Sequence, residues 1–251
     1  MNDQTVAPKQ TLFWHLYAQV YDGIRFAMPY RKLLLDTLAE MELKSEHRVL
    51  DAGCGTGNFE KFLAEKNAPK AQIHAIDFSS AMLTRAKKKC AGFPHVGFDF
   101  ADLNQELNFP DESFDRVICL NALYAVDNPR FTLEEFFRVL KPGGMIVIAN
   151  PRPSAKFGPL IKDHFKRIRN IWGLRRQMFA LFKSILMLGT TGIAPVILNV
   201  FVIKRRGERG KYHFLPKSKI LEIFEQSDLG NVDVSAAYAN QNWLTTATKP
   251  N

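Results

Sequence analysis

A chain of 251 residues that is 46% hydrophobic and 24% charged is long enough to bury one large core or two small ones, and nothing in that balance suggests disorder. The net charge of +9 is unevenly placed: from Arg152 to Lys211 fourteen Lys and Arg face only Asp163 and Glu208, a local balance of +12, while the remainder stands at −3. Three cysteines, Cys54, Cys90 and Cys119, are an odd set without paired or metal-type spacing, which argues against a disulfide framework or a zinc site and for reduced thiols.

The N-terminal "MNDQTVAPKQ" has neither the basic flank nor the apolar run of a secretory signal, so a cytoplasmic location is expected. In "TLFWHLYAQVYDGI", Phe13, Trp14, Tyr17 and Tyr21 recur at helical spacing on one face, and His15 falls off it. Next, "RVLDAGCGTGNFEKFLAE" reads as an apolar strand ending in Asp51, a glycine turn and the start of a helix, the layout of a nucleotide site. Gly53, Gly55 and Gly57 leave room for close approach of a ligand. The following "QIHAIDFSSAML" is a second strand ending in Asp77, with Ser79 placed to cap a helix. An acid at Asp77 suits a pair of ribose hydroxyls. Asp51, beside the glycine turn, would repel a dinucleotide's pyrophosphate, so the pattern favours a cationic ligand.

Taken with "DFADLNQELNFPDESFDRVICLNAL" and "FFRVLKPGGMIVIANP", these motifs resemble, in order and spacing, class I S-adenosylmethionine-dependent methyltransferases of the UbiE-like type. The likeness is strongest from Arg48 to Asn150 and resumes near Tyr212, through to the C-terminal "NWLTTATK". It implies an α/β fold: a Rossmann-like, doubly wound sheet of seven strands, mostly parallel with the last antiparallel. Strands are expected to start near Arg48, Gln72, Val96, Phe114 and Gly144. An N-terminal helical lid (1–45) would cover a core (46–151 and 210–251) interrupted by a helical insertion (152–209). The resemblance also implies S-adenosylmethionine as cofactor. Its methionine end would lie at Asp51 and the turn of Gly53, Cys54, Gly55 and Gly57, and its ribose at Asp77. Phe78 and Met82 would flank the adenine, Asp102 would take the exocyclic amine beside the Leu103 backbone, and Asn121 would close the floor under the sulfonium. For Phe78 and Met82 plain core packing is an equal reading, and Asp102 could simply cap a turn.

No catalytic group is assigned. Methyl transfer needs mainly near-attack geometry, and Tyr17, Tyr21, Tyr124 and Tyr238 are the acceptor-side candidates, with a structural tyrosine as the alternative at each. A nucleic-acid acceptor is argued against: after the fourth strand the chain reads Asn121, Ala122, Leu123, Tyr124 where amino-methylating enzymes of nucleic acid carry two prolines, and Cys119 follows Ile118 rather than a proline.

The twenty residues from Ser184 to Ile203 carry no charge and are long enough to span a bilayer. A single crossing would part the closing helix and hairpin from their own sheet, and Gly189, Gly192 and Pro195 break the run. Basic residues flank it on both sides, with Lys204, Arg205, Arg206 and Arg209 following. The expectation is a helical hairpin on the inner leaflet of an anionic membrane, contacting it through 152–211, and a lipophilic methyl acceptor such as a lipid, a quinone precursor or an isoprenoid. The alternatives are a soluble small-molecule methyltransferase whose insertion caps the pocket or forms a dimer interface, and a non-catalytic protein that binds the cofactor.

Overall fold

Seven strands form one sheet: β1 Arg48–Ala52, β2 Gln72–Asp77, β3 Val96–Phe100, β4 Phe114–Leu120, β5 Leu140–Pro151, β6 Gly230–Ala237 and β7 Asn242–Thr248. The computed structural model describes residues 13–14, 17–19, 21–171, 173–186, 210–227 and 229–251. The sheet order is β3-β2-β1-β4-β5-β7-β6, with β1 to β5 paired in parallel and β7 antiparallel to both β5 and β6. The order reverses between β1 and β4, and in doubly wound sheets ligands bind at such a point, beyond the strands' C-terminal ends.

Alternation along the strands sends residues to opposite faces, and each face has its own helices. On one side Val49, Ile73, Ile118 and Val147 pack against α1 (Met28–Glu40), α2 (Asn58–Glu65) and α3 (Ser80–Lys89) through Leu33, Leu34, Phe59, Phe62 and Leu83. On the other, Leu50, Ile76, Val117 and Ile146 meet α4 (Pro129–Val139) and α7 (Lys217–Glu225) through Leu133, Phe136, Ile220 and Phe224. Each such buried side chain contributes roughly 1.5–3 kcal/mol, so this two-sided burial fixes the sheet and with it the positions of Asp51 and Asp77.

β5 starts at Leu140, earlier than the Gly144 expected from sequence, because Leu140 already pairs with Phe114 ahead of a register irregularity. Ser79 caps α3 by accepting from the Met82 N–H (3.4 Å). After β5 come α5 (Phe157–Arg169) and α6 (Leu174–Leu186). α5 docks on α1, where the Met28 N–H donates to Nδ1 of buried His164 (3.0 Å). No helix among the described residues is long and apolar enough to cross a membrane. The expected breaks at Gly189, Gly192 and Pro195, the basic run Lys204 to Arg209, and His15 lie outside the described residues.

Candidate active site

The glycine turn is held by β2. Gly53 and Cys54 both donate their N–H to the Ile76 carbonyl (2.8 and 3.0 Å), and the Gly55 N–H donates to Asp77 Oδ2 (2.9 Å). Gly53 needs to be glycine twice over: its φ is +83°, and a Cβ there would lie 2.3 Å from the Cβ of Ala122 in the loop after β4. Leu103 is buried behind the same glycine. Gly57, at φ +74°, begins α2.

Asp77 is buried at the end of β2. Its second oxygen accepts from the Ser79 N–H (2.8 Å), so two backbone donors orient the carboxyl. Burial still outweighs them and pushes the group up to about 6. Asp51, 2% exposed, lies beside Glu60, also 2% exposed; burial raises Asp51 well out of the ordinary carboxylate range and raises Glu60 as well. Glu60 belongs to the first turn of α2, and neither of its oxygens has a hydrogen-bond donor among the surrounding side chains. Sequence reasoning passed over it. Its signal was there, since it shares the inward face of α2 with Phe59, Phe62 and Leu63.

The N-terminal segment is tied to this turn by charge. Asp22, in a short 3-10 turn (Asp22–Phe26), accepts from Thr56 Oγ1 (2.6 Å) and from Lys89 Nζ (2.5 Å). Lys89, at the end of α3, also donates to Thr56 Oγ1 (3.0 Å) and Asn58 Oδ1 (2.6 Å). Met82 packs beneath Phe13, Tyr17 and Ala18, and Trp14 meets half-buried Phe78 edge-on at 6.1 Å. Asp102 Oδ1 accepts from the N–H and the side-chain amide of Asn104 (3.0 and 2.8 Å), a turn-capping arrangement. Asn121, at φ +56°, donates its N–H to the Ala149 carbonyl and accepts from Nδ2 of Asn242 (2.6 Å), which binds the β6–β7 hairpin to the end of β4.

All six tyrosines of the chain gather over these strand ends. Tyr17 meets Tyr21 at 5.2 Å, Tyr30 meets Tyr238 at 6.4 Å and Tyr124 meets Tyr212 at 5.1 Å. Tyr17 is also near enough to Tyr124, Tyr212 and Tyr238 to interact electrostatically with them, and Tyr30 interacts with Tyr21. Burial raises Tyr17, Tyr30 and Tyr238 and pushes Tyr21 up to about 12, so these phenols keep their protons at neutral pH. The four candidates Tyr17, Tyr21, Tyr124 and Tyr238 are thus brought together with two that sequence reasoning did not single out, Tyr30 and Tyr212.

A family model described as a methyltransferase domain matches residues 43–215. The demethylmenaquinone methyltransferase of Lysinibacillus sphaericus is 34% identical over 140 residues, which cover 55% of this chain and 59% of that protein. The protein of the same name from Staphylococcus aureus is 29% identical over 202 residues, covering 78% of this chain and 73% of the relative. The chain therefore spans less than two thirds of the first relative's length. Among solved structures, the methyltransferase held in complex with the Trm112 activator of Haloferax volcanii superposes with a TM-score of 0.64 at 17% identity, over 96% of this chain and 97% of that one. A SAM-dependent methyltransferase from Aquifex aeolicus gives a TM-score of 0.57 at 17% identity, over 90% and 92%. At that identity the two structures attest the fold.

Proposed function

The chain belongs to the methyltransferase-domain family and is an S-adenosylmethionine-dependent enzyme, and from that premise we propose that it methylates a lipophilic ring compound of the quinone class at an anionic membrane surface. The cluster of six tyrosines above the glycine turn carries this reading. Such a cluster presents apolar ring faces with phenol O–H groups at their tips, which suits a ring bearing oxygen. The relatives named demethylmenaquinone methyltransferase support the same class of acceptor.

The residues present fit the cofactor. Asp51, Glu60 and Asp77 make the turn acidic, as a ligand with sulfonium and ammonium charges requires, and the glycines leave the backbone open to it. In this reading the methionine end lies against Asp51 and the Gly53, Cys54, Gly55 and Gly57 turn. Asp77 accepts from the ribose hydroxyls, Phe78 and Met82 border the adenine, and Asp102 with the Leu103 backbone lies at its edge. Asn121 closes the floor, kept in place by Asn242. Bound there, the cofactor supplies an electrophilic methyl group. The protein's part is to place a nucleophilic atom in line with it, to exclude water with the lid, and to hold the acceptor's oxygens. Tyr21 and Tyr30 interact with one another, and their phenol O–H groups are the donors proposed to meet an acceptor oxygen where negative charge builds.

Access from a membrane is supported by α6. Leu174, Met178, Phe179, Phe182 and Ile185 are 59–74% exposed, and their spacing gathers them on one side of the helix beside Arg175 and Arg176. Basic residues near an anionic leaflet contribute roughly 1 kcal/mol each. The test is to incubate the protein and isotopically labelled S-adenosylmethionine with vesicles rich in anionic lipid that carry a lipid extract, and to follow both sedimentation and label. The expected result is co-sedimentation that weakens with salt, with label in an apolar ring compound. A protein that ignores vesicles of every composition and methylates only water-soluble compounds would refute the proposal.

A further inference from the structure

The buried pair Asp51–Glu60 exceeds what the fold requires. Two carboxyl groups, each 2% exposed, lie within hydrogen-bonding reach of one another, and the oxygens of Glu60 meet no donor from the surrounding side chains. Two adjacent carboxylates cannot both be ionised in such a place without a cation, because desolvation and mutual repulsion act together. The nearby charges are otherwise committed. Lys89 is held by Asp22, Thr56 and Asn58, and Asp77 by the Gly55 and Ser79 N–H groups. Cys54, Cys90 and Cys119 and the phenols of Tyr21 and Tyr30 also face the pair, and all five are raised by burial and neutral at pH 7. The help Glu60 receives from its own backbone N–H and from Lys89 does not overcome its burial.

We propose that Asp51 and Glu60 hold one proton between them in the cofactor-free enzyme and release it when the cofactor's ammonium group settles against them, so that Glu60 is a positioning residue of the cofactor site. The O–H bond of the shared proton breaks, its electron pair stays on the carboxyl oxygen, and the proton passes to solvent. The cation then replaces the proton as the charge between the two groups. This rests on the reading that Asp51 faces the methionine end of the cofactor.

The experiment is calorimetry of the full chain between pH 6.5 and 7.5, where the ligand's own α-amino group is mostly protonated, in buffers of different ionisation enthalpy, which counts protons released per ligand bound. S-Adenosylmethionine should release close to one proton near neutrality, with affinity rising by up to tenfold per pH unit. S-Adenosylhomocysteine, which keeps the ammonium and lacks the sulfonium charge, should behave alike. Methylthioadenosine, which lacks the amino-acid end, should release none above pH 7, and whatever release it shows below that belongs to Asp77. Glu60→Gln copies the protonated group in shape and donates to Asp51, so it should bind the cofactor with no proton released above pH 7. Absence of release in the native protein, or equal release in Glu60→Gln, overturns the proposal. If Glu60→Gln fails to fold, the comparison of the three ligands on the native protein still decides. Failure of the underlying reading looks different: methylthioadenosine would then release the proton as fully as S-adenosylmethionine, and Asp51→Asn would leave cofactor affinity unchanged.

Discussion

Asp77→Asn should separate binding from stability, and the structure gives the size of both effects. The carboxyl is pushed from its usual 3.8 to about 6 by burial, a difference of about two pKa units, or about 3 kcal/mol. An acid with a raised folded-state pKa contributes stability while protonated, below its unfolded value, and loses it as pH rises from about 4 through about 6. At pH 7.5 native Asp77 therefore costs the fold about 3 kcal/mol, which an amide does not. Against this, Asn offers one acceptor oxygen where the Gly55 and Ser79 N–H groups now use two, a loss of about 1–3 kcal/mol. The variant should thus be as stable as the native protein or more so, by up to about 2 kcal/mol, with a flatter dependence on pH between about 4 and 6. Cofactor affinity should move the other way. Each ribose hydroxyl exchanges a charged acceptor for a neutral one, at about 1–1.5 kcal/mol, so two of them predict roughly 30- to 150-fold weaker binding. Thermal unfolding across pH and calorimetry with S-adenosylhomocysteine read the two quantities. Unchanged affinity would remove Asp77 from the ribose site, and a loss of several kcal/mol in stability would make it a fold support instead.

Gly53→Ala should weaken cofactor binding at least tenfold and cost at least about 1–2 kcal/mol, because φ is +83° and the new methyl meets Ala122 at 2.3 Å. Gly92→Ala, with open space around it, is the matched control, and equal thermal shifts in the two variants would contradict the account. Asp22→Asn should free the N-terminal segment by leaving the Lys89 ammonium, 10% exposed, without its carboxylate. As the Asp22 side chain is one-third exposed, the cost is about 1–2 kcal/mol rather than that of a fully buried pair. Hydrogen exchange should show faster opening around Tyr17 and Tyr21, and unchanged protection there would mean that aromatic packing alone holds the segment.

What the sequence revealed depended on the range over which each feature is assembled. Asp51, the glycines and Asp77 were legible because strand, turn and helix are consecutive, and the doubly wound sheet followed from the repetition of that unit. The proximity of Glu60 to Asp51 was less visible, since it takes a fold to set α2 beside the end of β1, although a charge on the helix's apolar stripe marked it as unusual. The tyrosine cluster was half legible. Tyr17 and Tyr21 stood out by periodicity, but Tyr30 and Tyr212 join the group only because the fold brings Tyr30 of α1 to Tyr238 and Tyr212, before α7, to Tyr124.

The division of charge noted at the outset has a physical logic once these pieces are placed. Residues outside Arg152 to Lys211 carry an excess of three acids, and Asp22, Asp51, Glu60 and Asp77 concentrate around the glycine turn where a cationic cofactor is proposed to bind. Of the +12 segment, α5 and α6 follow β5, and α6 has an exposed apolar side flanked by Arg175 and Arg176. Lys89 is tied to Asp22, which leaves Asp51 and Glu60 to the proposed cationic ligand.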